Sequence, residues 1–233
     1  MSHQINLDQL DVDGDVREAA EAAGFDRSTF LRNGALAGAG AVVGASVFGL
    51  PSIAQAKIST KNKSTKNDVK ILNYALTLEY LEAAFYKAAV DQDQFASPEL
   101  KQFAQVVAVH EKEHVDFLKK GLGKAAVKAP KLDMSAVATA ISAQNFGATA
   151  KALEDAGVAA YAGQGPNIKT RAYVVAALSI HSVEARHAAW IRYILGGGAV
   201  GAKPSDYPAP KTFDKARSEA GTLKLVTSTG LLA

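Results

Sequence analysis

The sequence predicts an all-α protein, a four-helix bundle in which two helical hairpins are joined by one long crossover. Four stretches carry apolar residues at helical spacing, and β-branched alternation is nearly absent. The links between the first and second stretches (about 91–96) and between the third and fourth (about 163–167) are short, which makes antiparallel neighbours. The middle link, about 122–146, is much longer.

Residues 1–56 read as an export signal rather than as part of the fold. Residues 1–26 hold seven acids and one base, Arg17, and form an acidic, disordered lead. Then come Arg27-Ser-Thr-Phe-Leu-Arg32, a 17-residue Gly/Ala-rich apolar run from Gly34 to Leu50, Pro51, and Ala54-Gln55-Ala56. A basic start, a mild apolar run and a small-x-small site make a secretory signal, with cleavage expected after Ala56. The run falls short of the roughly 20 residues that a spanning helix needs, so no stable membrane span is expected after cleavage. The stretch resembles a twin-arginine export signal through Arg27, Phe30, Leu31 and Arg32, with Ser28 where the second arginine belongs. The expected location is the periplasm, cell envelope or exterior.

A Lys/Asn/Ser/Thr linker covers 57–66, and the bundle is expected over 67–198. The first helix runs from about 68 to 90, with Asn67 able to cap it. The second has Ser97 as cap, Pro98 in the first turn, Glu99 near the N-terminus, Lys119 and Lys120 near the C-terminus, and Gly121 as its stop. A small helix near Ser135–Ser142 is expected in the crossover. The third long helix covers about 147–162, and the fourth about 168–195, ending in Gly196-Gly197-Gly198. The tail, 199–233, carries Pro204, Pro208 and Pro210 and is expected to wrap irregularly over the bundle.

Carboxylates stand where a core should be. On the second helix the apolar stripe Ala104, Val107, Ala108, Glu111, His114, Val115, Leu118 includes an acid and a histidine. On the fourth, Ala177, Ile180, Glu184, His187, Ala188, Ile191 does the same. Residues three apart share a helix face, so each Glu-x-x-His aims an oxygen and a nitrogen at one point. The first helix adds Glu79, the third Glu154, and each is followed seven residues later by a tyrosine, Tyr86 or Tyr161. The halves thus echo each other, with 32 and 30 residues from first acid to second. Glu82, three residues after Glu79, is an alternative for its place.

Ten Glu and five His placed at random in 233 residues give about 0.2 Glu-x-x-His pairs, against two found. Buried ionised acids cost several kcal/mol each without partners. Two divalent cations would balance four such charges, and the stripes offer no ring of buried Lys or Arg to do so. Two lone Glu and two Glu-x-x-His form the di-iron or di-manganese carboxylate pattern of helical bundles. With no cysteine in the chain, any metal must be held by O and N donors. That suits iron first, then manganese, with zinc behind.

The segments Leu78-Glu-Tyr-Leu-Glu-Ala-Ala-Phe-Tyr86, His110-Glu-Lys-Glu-His-Val115, Leu153-Glu-Asp-Ala-Gly157 and Val183-Glu-Ala-Arg-His187 resemble the ferritin-like superfamily. The nearest branch is that of exported bacterial ferritin-like and plant desiccation-related proteins. The resemblance spans about 68–195 and implies a ferritin-like four-helix bundle with its long crossover. It implies Glu79, Glu111, His114, Glu154, Glu184 and His187 as metal ligands, Glu111 and Glu184 bridging, and Tyr86 and Tyr161 hydrogen-bonded to the terminal carboxylates. His110 and His181, beside the motifs, are expected to support the ligands. Relatives with this centre oxidise ferrous iron or reduce oxygen and peroxides. The expected activity is therefore that of a ferroxidase- or peroxidase-like oxidoreductase acting on O2 or peroxide in envelope stress. The alternative is a non-catalytic metal-binding protein of stress or desiccation protection.

Phe85, Phe117, Trp190 and Tyr193 are expected to pack within the bundle, and Glu113, Asp116 and Asp155 to face solvent. Residues 57–233 carry a net charge of +7, from 23 bases and 16 acids. The lysines are scattered and not interleaved with aromatics, which reads as a solvated surface and not as a nucleic-acid site. The long leader and tail favour a monomer or dimer over a storage cage.

Overall fold

Capping chemistry sets the ends of the helices. In the computed structural model, which describes residues 57–198 and 203–233, α1 spans Thr65–Gln92. It begins three residues earlier than expected because Ser64, not Asn67, is its cap, the hydroxyl accepting from Asn67 N at 3.1 Å. Asn67 instead pins the incoming linker: its Oδ1 accepts from Ser59 N at 2.7 Å and its Nδ2 donates to Ser59 O at 3.0 Å. α1 ends at Asp93, which takes the left-handed conformation (φ 51°) that Asp tolerates. α2 spans Pro98–Leu122, capped by Ser97 as expected, but it runs through Gly121 and stops at Gly123, where φ is +53°. The export signal and its cleavage site lie outside the described residues.

The crossover carries α3, Met134–Ala140, whose cap Asp133 accepts from Ser135 N and Ala136 N. α4 spans Phe146–Gln164 and α5 spans Arg171–Leu195. α5 starts later than the expected 168, because Gly165–Asn167 forms a 3-10 turn. No side chain within α5 caps it. The fully buried Asp68 of α1 instead anchors the residues that lead into it, accepting from Lys169 N (2.8 Å), Thr170 N (3.0 Å) and Thr170 Oγ1 (2.7 Å).

The four long helices form two antiparallel hairpins, α1–α2 and α4–α5, facing each other across the core, so the all-α bundle with one long crossover is the fold. Among the described residues there is no strand, only an isolated bridge between Leu132 and Leu232. The tail is less irregular than expected. It forms α6, Glu219–Ser228, packed on α4. Just before it, Arg217 N donates to Ala159 O at 2.9 Å. Gly163 is required at this crossing, since a Cβ there would stand 1.9 Å from the Arg217 carbonyl oxygen.

Two apolar layers sandwich the centre of the bundle. One is aromatic: Phe85 stacks on Phe146 (5.6 Å), Tyr86 meets Phe103 edge-on (5.9 Å), and Phe103 meets Trp190 (5.2 Å). The other is built from Ile71, Leu72, Ala75, Leu118, Ala160 and Ile180. Burying each large side chain is worth about 1.5–3 kcal/mol, so these layers offset the cost of the polar slab between them. Phe85 and Trp190 pack as expected, but Phe117 and Tyr193 lie at the surface. No helix among the described residues is long and apolar enough to cross a membrane.

Candidate metal centre

Between those layers the inner stripes of all four long helices converge. Glu79 of α1, Glu111 of α2, Glu154 of α4 and Glu184 of α5 are fully buried, and His187 nearly so. The His114 side chain is 12% exposed, the most open of the six. Their donor atoms fall into two groups of four, Glu79–Glu111–His114–Glu184 and Glu111–Glu154–Glu184–His187. Within each, all ligand atoms lie within 4.8 Å of one another, the span of donors around one ion. Glu111 and Glu184 belong to both groups.

The histidines face the acids through Nδ1. His114 Nδ1 lies 3.2 Å from Glu79 Oε2, 3.3 Å from Glu111 Oε2 and 3.1 Å from Glu184 Oε1. His187 Nδ1 lies 3.2 Å from both Glu111 Oε1 and Glu154 Oε2, and 3.8 Å from Glu184 Oε2. The contacts to Glu184 and to Glu111 Oε1 are close enough for charge attraction but not aligned as hydrogen bonds. Glu111 Oε1 and both Glu184 oxygens therefore remain buried without a hydrogen-bond partner. These orphans are on the two acids common to both groups, where a cation in either group would give them a partner, and the O/N donor set suits Fe or Mn. The residues present fit a pair of divalent metals.

The tyrosines bind crosswise. Tyr161 of α4 donates to Glu79 Oε1 of α1 at 2.5 Å, and Tyr86 of α1 donates to Glu154 Oε1 of α4. Each half thus holds the terminal carboxylate of the other, and each phenol lies well above its ordinary pKa, through burial first and then through the adjacent acid.

The side chains' own electrostatics is that of a proton store. Burial lifts Glu79 to about 8 against the pull of His114, and lifts Glu154 well above the carboxylate range against His187. Burial also works to raise Glu111 and Glu184, but attraction to the two histidines beside them outweighs it and both lie below their ordinary value. Those acids overcome the burial of the imidazoles in turn, so His187 rises to about 12 and His114 is raised as well. The two acids common to both groups thus lie below the ordinary carboxylate range, while the acid found in one group only lies above it in each case.

The other expected residues divide. Glu79 belongs to a group of four and Glu82 to neither, yet Glu82 is buried beside them. Burial, and then the charges of Glu184, Glu111, Glu154 and Glu79, hold it well above its usual pKa. His110 supports the site directly, its Nδ1 2.8 Å from His187 Nε2 and the rings stacked at 5.1 Å. His181 lies one turn before Glu184, with its Nε2 buried and without a hydrogen-bond partner. Asp155 is only partly exposed and clasps Arg192 through two bonds of 2.5 and 2.6 Å. Sequence reasoning did not foresee that His110 would serve His187, on the opposite hairpin, and not the neighbouring His114. The only prior signal was a histidine one residue before Glu111.

The family model described as a ferritin-like domain matches residues 67–197, which takes in all but the first two residues of the four long helices and every side chain of the cluster. Among curated proteins none matches the chain.

Proposed function

The chain belongs to the ferritin-like domain family, and on that premise we propose that it holds two divalent metal ions, iron or manganese, and reacts with O2 or peroxide. The observation that supports this most is the pair of overlapping donor groups whose shared acids, Glu111 and Glu184, carry the orphaned oxygens. In this reading Glu79, Glu111, His114 and Glu184 would hold one ion and Glu111, Glu154, Glu184 and His187 the other, with Glu111 and Glu184 serving both. When bound, the metals supply the electrons that reduce the oxidant.

The protein's part is positional and electrostatic. Tyr161 and Tyr86 fix the terminal carboxylates, so each presents a set oxygen to its ion. His110 fixes the ring of His187 through Nε2, leaving Nδ1 for the ion. Four acids at zero exposure exclude bulk water, and the partly open His114 marks the side nearest solvent. Ferroxidase- or peroxidase-like chemistry in envelope stress completes the proposal, together with export, cleavage after Ala56, and the branch of exported and desiccation-related proteins. The leader and the quoted motifs support those parts. A monomer or dimer is proposed with them.

The depth of the site favours a second reading, in which redox-idle ions such as zinc serve a protective metal-binding protein. Elemental analysis of protein from its native compartment, followed by single-turnover mixing with Fe(II) and O2 or with peroxide, decides between them. Two ions per chain and faster oxidation than in buffer are expected, and both should be lost in Glu111→Ala. Two bound ions without turnover would favour the protective reading. No bound metal would end both.

A further inference from the structure

One acid buried beside the cluster is left over when the six are assigned. Glu82 stands one turn after Glu79 on α1, and its place follows from the register of α1 against α4. Tyr86 reaches Glu154 while Tyr161 reaches Glu79, so the helices run antiparallel, with 86 level with 154 and 79 level with 161. Midway between those levels stand Glu82 on α1 and Gly157 on α4. Glu82 therefore occupies the midpoint between the two donor groups, on the α1/α4 side, whereas α2 and α5 supply both histidines.

Gly157 is its complement. Three residues after its leading acid the first half has Glu82, and the second half has Gly157. A Cβ at Gly157 would lie 3.2 Å from Glu184 Oε2 and 3.4 Å from Glu82 Oε1, so both oxygens border the space that the missing side chain leaves. Glu184 Oε2 is one of the orphaned oxygens of a shared acid. A bulkier residue at 157 would compete with both carboxylates for that space.

We propose that Glu82 is a fifth carboxylate and seventh ligand of the metal centre, reaching the ion pair from the face opposite the histidines and closing positions that the six-residue set leaves open, with Gly157 as the notch that admits it. This rests on the two-metal reading above. It makes Glu82 the group with which an incoming anion or oxidant competes.

Cobalt(II) and azide test this apart from turnover. The visible absorption of Co(II) strengthens as its coordination number falls, and azide probes open positions. Wild-type protein and the Glu82→Gln, Glu82→Ala and Gly157→Ala variants are loaded with Co(II), with helix content checked by circular dichroism. Glu82→Gln keeps the shape of the side chain and so guards against misfolding. Wild type should bind two ions. Both Glu82 variants should absorb more strongly and bind azide about tenfold tighter or more, and Gly157→Ala should shift the spectrum the same way by displacing Glu82. Loss of an ion from a folded Glu82→Gln variant would equally support ligation. Two bound ions with wild-type spectra and azide affinity in both Glu82 variants would overturn the proposal and leave the two-metal reading standing. A wild type that binds no Co(II) would overturn both.

Discussion

The hairpins α1–α2 and α4–α5 repeat one plan but are not equivalent. Each gives an acid, a tyrosine seven residues on, and a Glu-x-x-His, and each tyrosine serves the other hairpin's acid. The differences lie one layer out. Glu82 has Gly157 as its counterpart. His110, four residues before His114, has Val183 as its counterpart, four residues before His187. His187 is thus held through its second nitrogen by a residue from the opposite hairpin, whereas Val183 offers His114 no such bond. A repeated ligand pattern fixes where two ions can be bound, and the unrepeated neighbours decide how alike those ions are.

The largest expected effect concerns what the halves share. Both carry candidate ligands with raised proton affinity, so on the two-metal reading cations and protons would compete for the centre. Glu79 passes from about 4.5 in the unfolded chain to about 8 in the fold, and His187 from 6.5 to about 12. Between those limits the folded state binds more protons than the unfolded one, so stability falls as pH rises. Chelator-treated protein should lose on the order of a few kcal/mol between pH 5 and pH 9, read from denaturant unfolding. The metal-loaded form should lose far less, and equal slopes for the two forms would show that cations do not displace these protons.

The next effect should separate the halves. Removing a bond that orients a ligand histidine weakens metal binding by about 10–100-fold. His110→Ala should therefore weaken one of two ions in a calorimetric titration and spare the other. Equal weakening of both ions would break the asymmetry drawn from His110 and Val183. The smallest effect returns to the symmetric part. Tyr86→Phe and Tyr161→Phe each remove one buried hydrogen bond and should each cost about 1 kcal/mol of stability. A cost confined to one of them would mean that the crosswise pairing is less balanced than its geometry.

Much of this was legible in the sequence because it is periodic. Apolar spacing, Ser97-Pro98 and the closing glycines delimit rods, and an acid on an apolar stripe points inward whatever it meets there. That reasoning placed Glu79, Glu111, His114, Glu154, Glu184 and His187 on inner faces, and the structure brings them together. It left Glu79 and Glu82 as rivals, since both lie on the buried side of one helix. Only the register of α1 against α4 shows that one joins a group of four while the other faces Gly157. The His110–His187 contact spans 77 positions and the Asp68–Lys169 bond 101, and no local pattern encodes either. α6 was missed for a different reason. Its sequence mixes Ser, Thr and Gly, and it buries little beyond Thr222 and Val226.

Asp68 has a consequence for the order of assembly. The second Glu-x-x-His lies on a helix whose N-cap residue makes no side-chain cap and is itself anchored by a carboxylate made early in the chain. That helix can settle into its final winding only once the leading rod is in place. The last two candidate ligands are therefore set by a template synthesised long before them.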